Sequence, residues 1–281
     1  MSKIAVIGIV GNSVFLEVEK FHEGGETVES KSVHFELGGK GFNQAVAARR
    51  GGAEVSFLAA VGTDSLSSVR AFLENEGIKA YLAEKNEATA FAAIITDKSG
   101  TNHVTVYQGA QLSANDVASF EDEISSADIL LINNEVAEEV NIEAVKIAKK
   151  HGVKIVLNPA PARPTDSYIL ENVDLFTPNE HELLGIEEKK NVIMTAGKRG
   201  CVIKSENLTV PAVNVATVVD TTGAGDTFNG YLCAALAEGR SLTDAARIAN
   251  LSSSIGVTRK YAVSSIPTKN EIEEFLKCKR A

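Results

Sequence analysis

The sequence predicts an α/β fold: a three-layer αβα arrangement around a mostly parallel central sheet, with a small β-sheet lid, as one domain over residues 1–281. Three observations predict it. Short β-branched segments alternate with helical patterns for most of the length, which implies βαβ units with helices on both faces of a parallel sheet. Segments such as IAVIGIV at 4–10 and ILLIN at 129–133 are apolar almost throughout, as strands buried on both faces are. Two stretches break the rhythm with period-two alternation, VHFEL at 33–37 and HVTVY at 103–107, and read as hairpins. Antiparallel ribbons inserted into an α/β domain make a lid, here from segments at about 12–38 and 88–108.

In chain order, strands are expected at 3–9, 55–61, 129–132, 154–157, 174–176, 192–195 and 201–204, with helices at 66–76 and 141–151 among them. One hairpin pairs 14–21 with 32–37 across the turn-rich HEGGE, and the other pairs 89–95 with 102–107. An Ala-rich helix follows the glycines at 38–41 and stops at Gly51-Gly52. The prolines of NPAPARP at 158–164 make an extended loop after a strand, where open α/β sheets place their ligands. A strand at 213–219 feeds a Gly-Ala-Gly turn, after which Phe228, Tyr231, Leu232, Ala235 and Leu236 recur at helical spacing. Neither a repeat nor a Pro/Gly/Ser linker marks off a second domain.

Composition excludes several classes. With 44% hydrophobic and 23% charged residues the chain is that of a folded protein. Acidic residues outnumber basic ones 37 to 28, and basic residues cluster only in short pieces such as Arg49-Arg50 and Lys149-Lys150. Nucleic acid and anionic membrane surfaces are therefore not expected partners. The longest apolar runs fall far short of the roughly 20 residues that span a bilayer. The N-terminus has one Lys and no small-residue cleavage site after its apolar stretch, so it reads as a first buried strand rather than a signal peptide. Cys201, Cys233 and Cys278 are too far apart for a CxxC site and odd in number, which fits reduced thiols in the cytoplasm.

Common catalytic signatures fail. Gly8 and Gly11 are spaced GxxG rather than GxGxxG, and NSVFLEVEKF after them alternates like a strand where a dinucleotide site requires a helix. Gly197-Lys198 lacks both the earlier Gly and the following Ser or Thr of a P-loop. GxSxG and HExxH do not occur, and the five histidines are scattered.

Two glycine-rich junctions remain. In Gly38-Gly39-Lys40-Gly41-Phe42-Asn43-Gln44, glycines permit a tight turn and leave N–H groups open, while Asn43 both donates and accepts in the first helical turn. Polyhydroxylated ligands need that mixture; the structural alternative is a turn with Asn43 as a local cap. In Asp220-Thr221-Thr222-Gly223-Ala224-Gly225-Asp226-Thr227, the turn opens a helix whose free N–H groups and dipole can hold an anion. Asp226 there has a structural alternative too, as a helix-stabilising carboxylate worth about 0.3–1 kcal/mol. A plain helix start does not need two glycines, however, and a carboxylate beside an anion hole is the arrangement phosphoryl transfer uses.

On these motifs the sequence resembles the ribokinase-like (PfkB) carbohydrate kinases. GGKGFNQAVAA and DTTGAGDTFNGYL match the family's two signatures, and NPAPAR at 158–163, TPNEHE at 177–182 and TAGKRG at 195–200 lie between them in family order. The resemblance covers essentially the whole chain. It implies an ATP-dependent kinase acting on a sugar hydroxymethyl group, ribose or a similar furanose, with Asp226 as catalytic base and Gly223, Ala224 and Gly225 as the anion hole. Gly11, Ser13, Gly39, Lys40, Gly41, Asn43 and Glu135 would hold the sugar. Asn179, Thr195, Gly197, Arg199, Gly200, Gly225 and Asn250 would border the nucleotide. Glu182 would serve Mg²⁺ through water, and Asp220, Thr222, Gly256, Arg259, Tyr261 and Ser265 match a loop for a monovalent cation such as K⁺. The hairpins correspond to a lid that also makes a homodimer interface.

The sequence departs from the family pattern at three places. Ser13 stands where an Asp is expected, which removes a charged hydrogen bond worth about 1.5–3 kcal/mol. Only a short link joins Leu184 to the strand VIMT, where the family has a further helix, and Tyr261 stands where it often has Gly. Two other readings compete: a nucleoside kinase of the same superfamily, with Phe15, Phe35 or Phe42 stacking a base, and a sugar- or nucleotide-binding regulator without turnover.

Overall fold

The computed structural model describes residues 2–278. The chain opens with β1 (Lys3–Ile7), β2 (Gly11–Val18) and β3 (Ser30–Gly38), then turns into α1 (Lys40–Arg50). β4 (Glu54–Gly62), α2 (Leu66–Glu76), β5 (Lys79–Lys85), β6 (Ala90–Thr96) and β7 (Asn102–Tyr107) follow. Next come α3 (Ala114–Ala118), α4 (Glu121–Ser125), β8 (Ile129–Asn133), α5 (Glu138–His151), β9 (Lys154–Asn158), α6 (Ser167–Asn172) and β10 (Leu175–Phe176). The last third holds β11 (Ile193–Thr195), β12 (Cys201–Ile203), β13 (Leu208–Val210), α7 (Ala224–Ala237), α8 (Leu242–Gly256) and α9 (Lys269–Cys278).

Six strands form a wholly parallel sheet in the order β10-β9-β8-β1-β4-β5. The predicted three-layer architecture is present. One face buries residues of α1, α2, α7, α8 and α9 around Phe42, Phe57, Leu73 and Leu232. The other buries α3 to α6 around Phe120, Leu130, Ile132 and Phe176. Local chemistry agrees with this packing: α5 carries Glu138 and Glu139 in its first turn and Lys149, Lys150 and His151 in its last, matching the helix dipole, and ends at Gly152. A second, four-stranded sheet, β3-β2-β6-β7, is made by the two expected hairpins, joined by a parallel β2–β6 ladder. Ser13 and Phe15 point to one of its faces; Val14 and its ladder partner Phe35 point to the other.

Several expectations are corrected. Residues 213–219 form no strand: β13 ends before Pro211, which has no N–H to donate, and α8 takes over the next polar groups. Val213 N–H donates to Ser254 Oγ (3.2 Å) and Val219 N–H to Val257 O (2.7 Å), so the alternation lines a cavity rather than a sheet. The segments at 192–195 and 201–204 do not join the parallel sheet. β11 pairs antiparallel with β12 and β12 with β13 in a separate three-stranded sheet, which touches β10 through one parallel bridge between Phe176 and Val192. β1 stops at Ile7 and β2 at Val18, earlier than the apolar runs indicated. β5 was not foreseen, because an edge strand buried only in part lacks the continuous apolar run of a central one. The link from Leu184 to Asn191 contains turns and no helix. Among the described residues, no helix is long and apolar enough to cross a membrane.

Candidate active site

Parallel strands end on one edge of the sheet, and polar residues gather there: Asn133 ends β8, Asn158 ends β9, and Thr177 follows β10. The N-termini of α1 and α7 meet at the same edge. The turn from β3 into α1 needs Gly39, whose φ of +106 puts a hypothetical Cβ 2.4 Å from Ile9 O. Gly223 caps α7 with φ +73. Both junctions therefore hold backbone shapes that only glycine adopts without strain.

Asn43 is not a cap. Its Nδ2 donates across to Asp226 Oδ2 at 2.9 Å, and Gln44 Nε2 donates to Asp226 Oδ1 at 3.0 Å. Asp226 does not cap α7 either, since both its oxygens face α1. The carboxylate is buried, with 6% of the residue exposed. Burial raises its pKa, opposed by the charge of Lys40 and the donors Asn43 and Gln44. Lys40 sits in the first turn of α1, where the helix dipole disfavours a cation. The negative charges of Asp226, Glu135 and Glu182 compensate, and Asp226 contributes most to raising the Lys40 pKa. Glu135 follows β8; its Oε2 accepts Lys40 N–H at 2.7 Å, and its own N–H donates to Asn133 Oδ1 at 3.0 Å. Burial, then the charge of Asp226, pushes the Glu135 carboxyl up to about 7.

Thr227 N–H closes the first turn of α7 onto Gly223 O (2.8 Å), so the N–H groups of Gly225 and Asp226 precede the helical ladder. A Cβ placed on Gly225 would meet no atom within 4 Å, which leaves this turn open on that side. The opening leads into a cavity of about 600 Å³. Thr195, Gly197, Gly200, Gly225 and Asn250 line it, together with an apolar wall of Val213, Val215, Val218, Phe228 and Val257. Lys198 lines it as well, whereas Arg199 is turned to an ion pair with Glu180, and Asn179 is tied to Glu182. Asn250 Nδ2 donates to Val210 O at 2.9 Å, so it also secures the end of β13.

Glu182 accepts from Asn179 N–H (2.9 Å) and Nδ2 (2.7 Å), which holds one carboxylate near the site. Among the described residues there is no group of three or more His, Cys, Asp or Glu that could enclose a metal ion. Asp220 accepts from Thr222 N–H (2.9 Å), Thr222 Oγ1 (2.7 Å) and Tyr261 N–H (2.9 Å). Gly256 O accepts Arg259 N–H, and Ser265 Oγ donates to Ala262 O, so this loop is closed by its own hydrogen bonds. Tyr261 has φ +73, a conformation glycine ordinarily supplies. Stacking on His34, with centroids 3.7 Å apart, and an edge contact with Phe15 hold it there.

Sequence reading passed over Gln44, Asn158, Thr177 and Asn229, which share the hydrogen bonds behind Asp226, and Glu36, which binds the 262–264 loop. A polar residue ending an otherwise apolar strand was the available signal for Asn133 and Asn158. Gly11 and Ser13 stand on β2, with Gly11 packed against Ala90 and Ser13 beside Gly38.

The pfkB family carbohydrate kinase model matches residues 1–269. A ribokinase from Haemophilus influenzae is 36% identical, the match covering 97% of this chain and 98% of that one. The crystal structure of ribokinase from Thermotoga maritima superposes with a TM-score of 0.89 at 32% identity, covering 99% and 100% of the two chains. The structure of Arabidopsis thaliana ribokinase complexed with ribose and ATP gives a TM-score of 0.85 at 26% identity, with 99% of each chain covered. With signatures, fold and near-full-length similarity in agreement, this chain belongs to the pfkB family of carbohydrate kinases.

Proposed function

We propose that the chain transfers the γ-phosphoryl group of ATP to a hydroxymethyl group of ribose or a similar furanose, with Asp226 as general base. The observation that carries this reading is the seat of Asp226: a buried carboxylate held by Asn43 and Gln44 and adjoining the open turn at Gly225. The relatives that bear the name ribokinase, one of them complexed with ribose and ATP, support the substrate pair.

In this reading adenine lies against the apolar wall of Val213, Val215, Val218 and Phe228, and the phosphates point toward the N-terminus of α7. Asp226 takes the proton of the hydroxymethyl group as its oxygen bonds to the γ-phosphorus. The bond between that phosphorus and the β–γ bridging oxygen breaks, and ADP leaves with the electron pair. The N–H groups of Gly225 and Asp226 bear the charge on the moving phosphoryl, while the Ala224 N–H expected beside them donates to Thr221 O at 3.2 Å; positioning and electrostatics must stabilise that charge more than the base does. Lys40, Asn43 and Glu135 supply donors and acceptors for the sugar hydroxyls.

One carboxylate, Glu182, fits a divalent ion held by water and phosphates and not by a protein cage; when bound, Mg²⁺ neutralises phosphate charge. The monovalent-cation loop fits less well. The one carboxylate there, Asp220, is engaged by Thr222 and Tyr261. A nucleoside kinase is less favoured: Phe42 is core, packed on Phe57 and Phe72, Phe15 is packed against Tyr261, and Phe35 points to the other sheet face. We also propose that β3-β2-β6-β7 forms a lid over one kinase domain and that its outer face, with Phe35 72% exposed, joins two copies. The buried free thiols of Cys201 and Cys233 suit the cytoplasm.

ADP release from Mg-ATP over a panel of pentoses, hexoses and nucleosides tests the reading. Turnover greatest with a furanose supports it; turnover confined to nucleosides, or ligand binding with no ADP from any acceptor, overturns it.

A further inference from the structure

Asp226 closes a ring of buried polar groups. Gln44, fully buried on α1, spends its amide on two acceptors: Nε2 donates to Asp226 Oδ1 and to Asn158 Oδ1, each at 3.0 Å. Asn158 Nδ2 donates to Thr177 O at 3.0 Å, and Thr177 Oγ1 donates to Asn229 Oδ1. Asn229 Nδ2 then donates to Gly225 O at 2.8 Å, the carbonyl of the peptide bond that carries Asp226 N–H. The ring thus links the base and the turn beside it through α1, β9, the end of β10 and α7.

Gln44 Oε1 is buried and accepts no hydrogen bond. Turning the amide over would set that oxygen against the Asp226 carboxylate and Asn158 Oδ1, so two acceptors fix the amide one way round. A residue present for packing alone has no reason to carry a lone buried acceptor, since an apolar side chain of similar volume avoids its desolvation cost.

We propose that Gln44 is a positioning residue: its amide, fixed one way round, holds Asp226 Oδ1 and so orients the carboxylate toward the acceptor hydroxyl. This rests on the kinase reading above. Burial works against ionisation of Asp226, and the charged groups coupled to it are Lys40 from α1 and Glu135 after β8. β9 and the end of β10 present the neutral Asn158 and Thr177, and α7 itself presents the neutral Asn229. Gln44 is therefore one of two neutral donors, with Asn43, that favour the charged form.

The test is kcat and KM against pH for wild type, Gln44→Leu and Gln44→Glu, using an acceptor that the wild type phosphorylates. Gln44→Leu is expected to lower kcat by about 30-fold with KM for ATP within about threefold, and to move the acid limb of the kcat profile up by about one pH unit. Gln44→Glu keeps the size of the side chain and carries the test if Gln44→Leu does not fold. It sets a second carboxyl against Asp226 and moves the limb further up. An acid limb unmoved in the folded variants, whatever the loss of kcat, assigns Gln44 to packing and overturns the proposal. Absence of turnover by the wild type on every acceptor would overturn the kinase reading instead.

Discussion

Asn43 and Asp226, 183 residues apart in the chain, meet in one hydrogen bond: Nδ2 donates to Oδ2 at 2.9 Å. The two glycine-rich junctions are therefore one site, and each removes a structural explanation from the other, because neither side chain caps its own helix. Asp226→Asn is expected to lower kcat by roughly 10³-fold while ATP affinity stays within about threefold. Calorimetric titration beside steady-state kinetics checks this; equal loss of both would make Asp226 a structural residue.

Glu135 gives a pH signature in stability. Its folded-state pKa is raised from 4.5 to about 7 by burial and by the charge of Asp226. Between those values the folded protein keeps a proton that the unfolded chain has released, so this group makes stability fall as pH rises through that window. Glu135→Gln removes the penalty and is expected to stabilise by on the order of 2–3 kcal/mol at pH 8, with the gain vanishing toward pH 4.5. Thermal unfolding across that range would count against the idea if variant and wild type shifted in parallel.

Ser13 shares a face of β2 with Phe15 and lacks the charge the family pattern expects. Restoring a carboxylate by Ser13→Asp is expected to lower KM for ribose about tenfold, the worth of one charged hydrogen bond at the low end. A KM unchanged for every pentose would show that Ser13 does not face the sugar.

Glu36 ties the small sheet to the α7 turn. Its carboxylate accepts from Ala262 N–H (2.8 Å), Ser264 N–H (3.2 Å) and Ser264 Oγ (2.8 Å), and Ala262 packs against Gly223. Glu36→Ala is expected to cost about 1–3 kcal/mol in unfolding free energy, through amides left without an acceptor, and to raise KM for ATP. Wild-type values of both in urea unfolding and kinetics would contradict this coupling.

The outer face of the small sheet exposes Phe35 by 72% and Val33 by 56%. Phe35→Asp is expected to convert a dimer to monomers in light scattering without lowering monomer stability by more than about 0.5 kcal/mol. A wild type that is monomeric at high concentration would refute the interface.

The sequence by itself determined the architecture and the two ends of the site. Apolar strands such as ILLIN, helical spacing after Asp226 and the glycines of two junctions carry their information locally, in periodicity and in backbone conformations that other residues resist. Where local signal was ambiguous the reading failed: 213–219 alternates like a strand, but alternation does not say whether the neighbour is a strand or a helix, and here it is α8. Only the tertiary structure decided what Asn43, Gln44 and Glu135 do. A polar side chain near a helix start can cap its own helix or reach another element, and the choice depends on which acceptor the folded chain brings within about 3 Å. The packing of α1 on α7 brings Asp226 there, and burial then pushes the carboxyls of Asp226 and Glu135 upward, a shift that no residue type carries on its own.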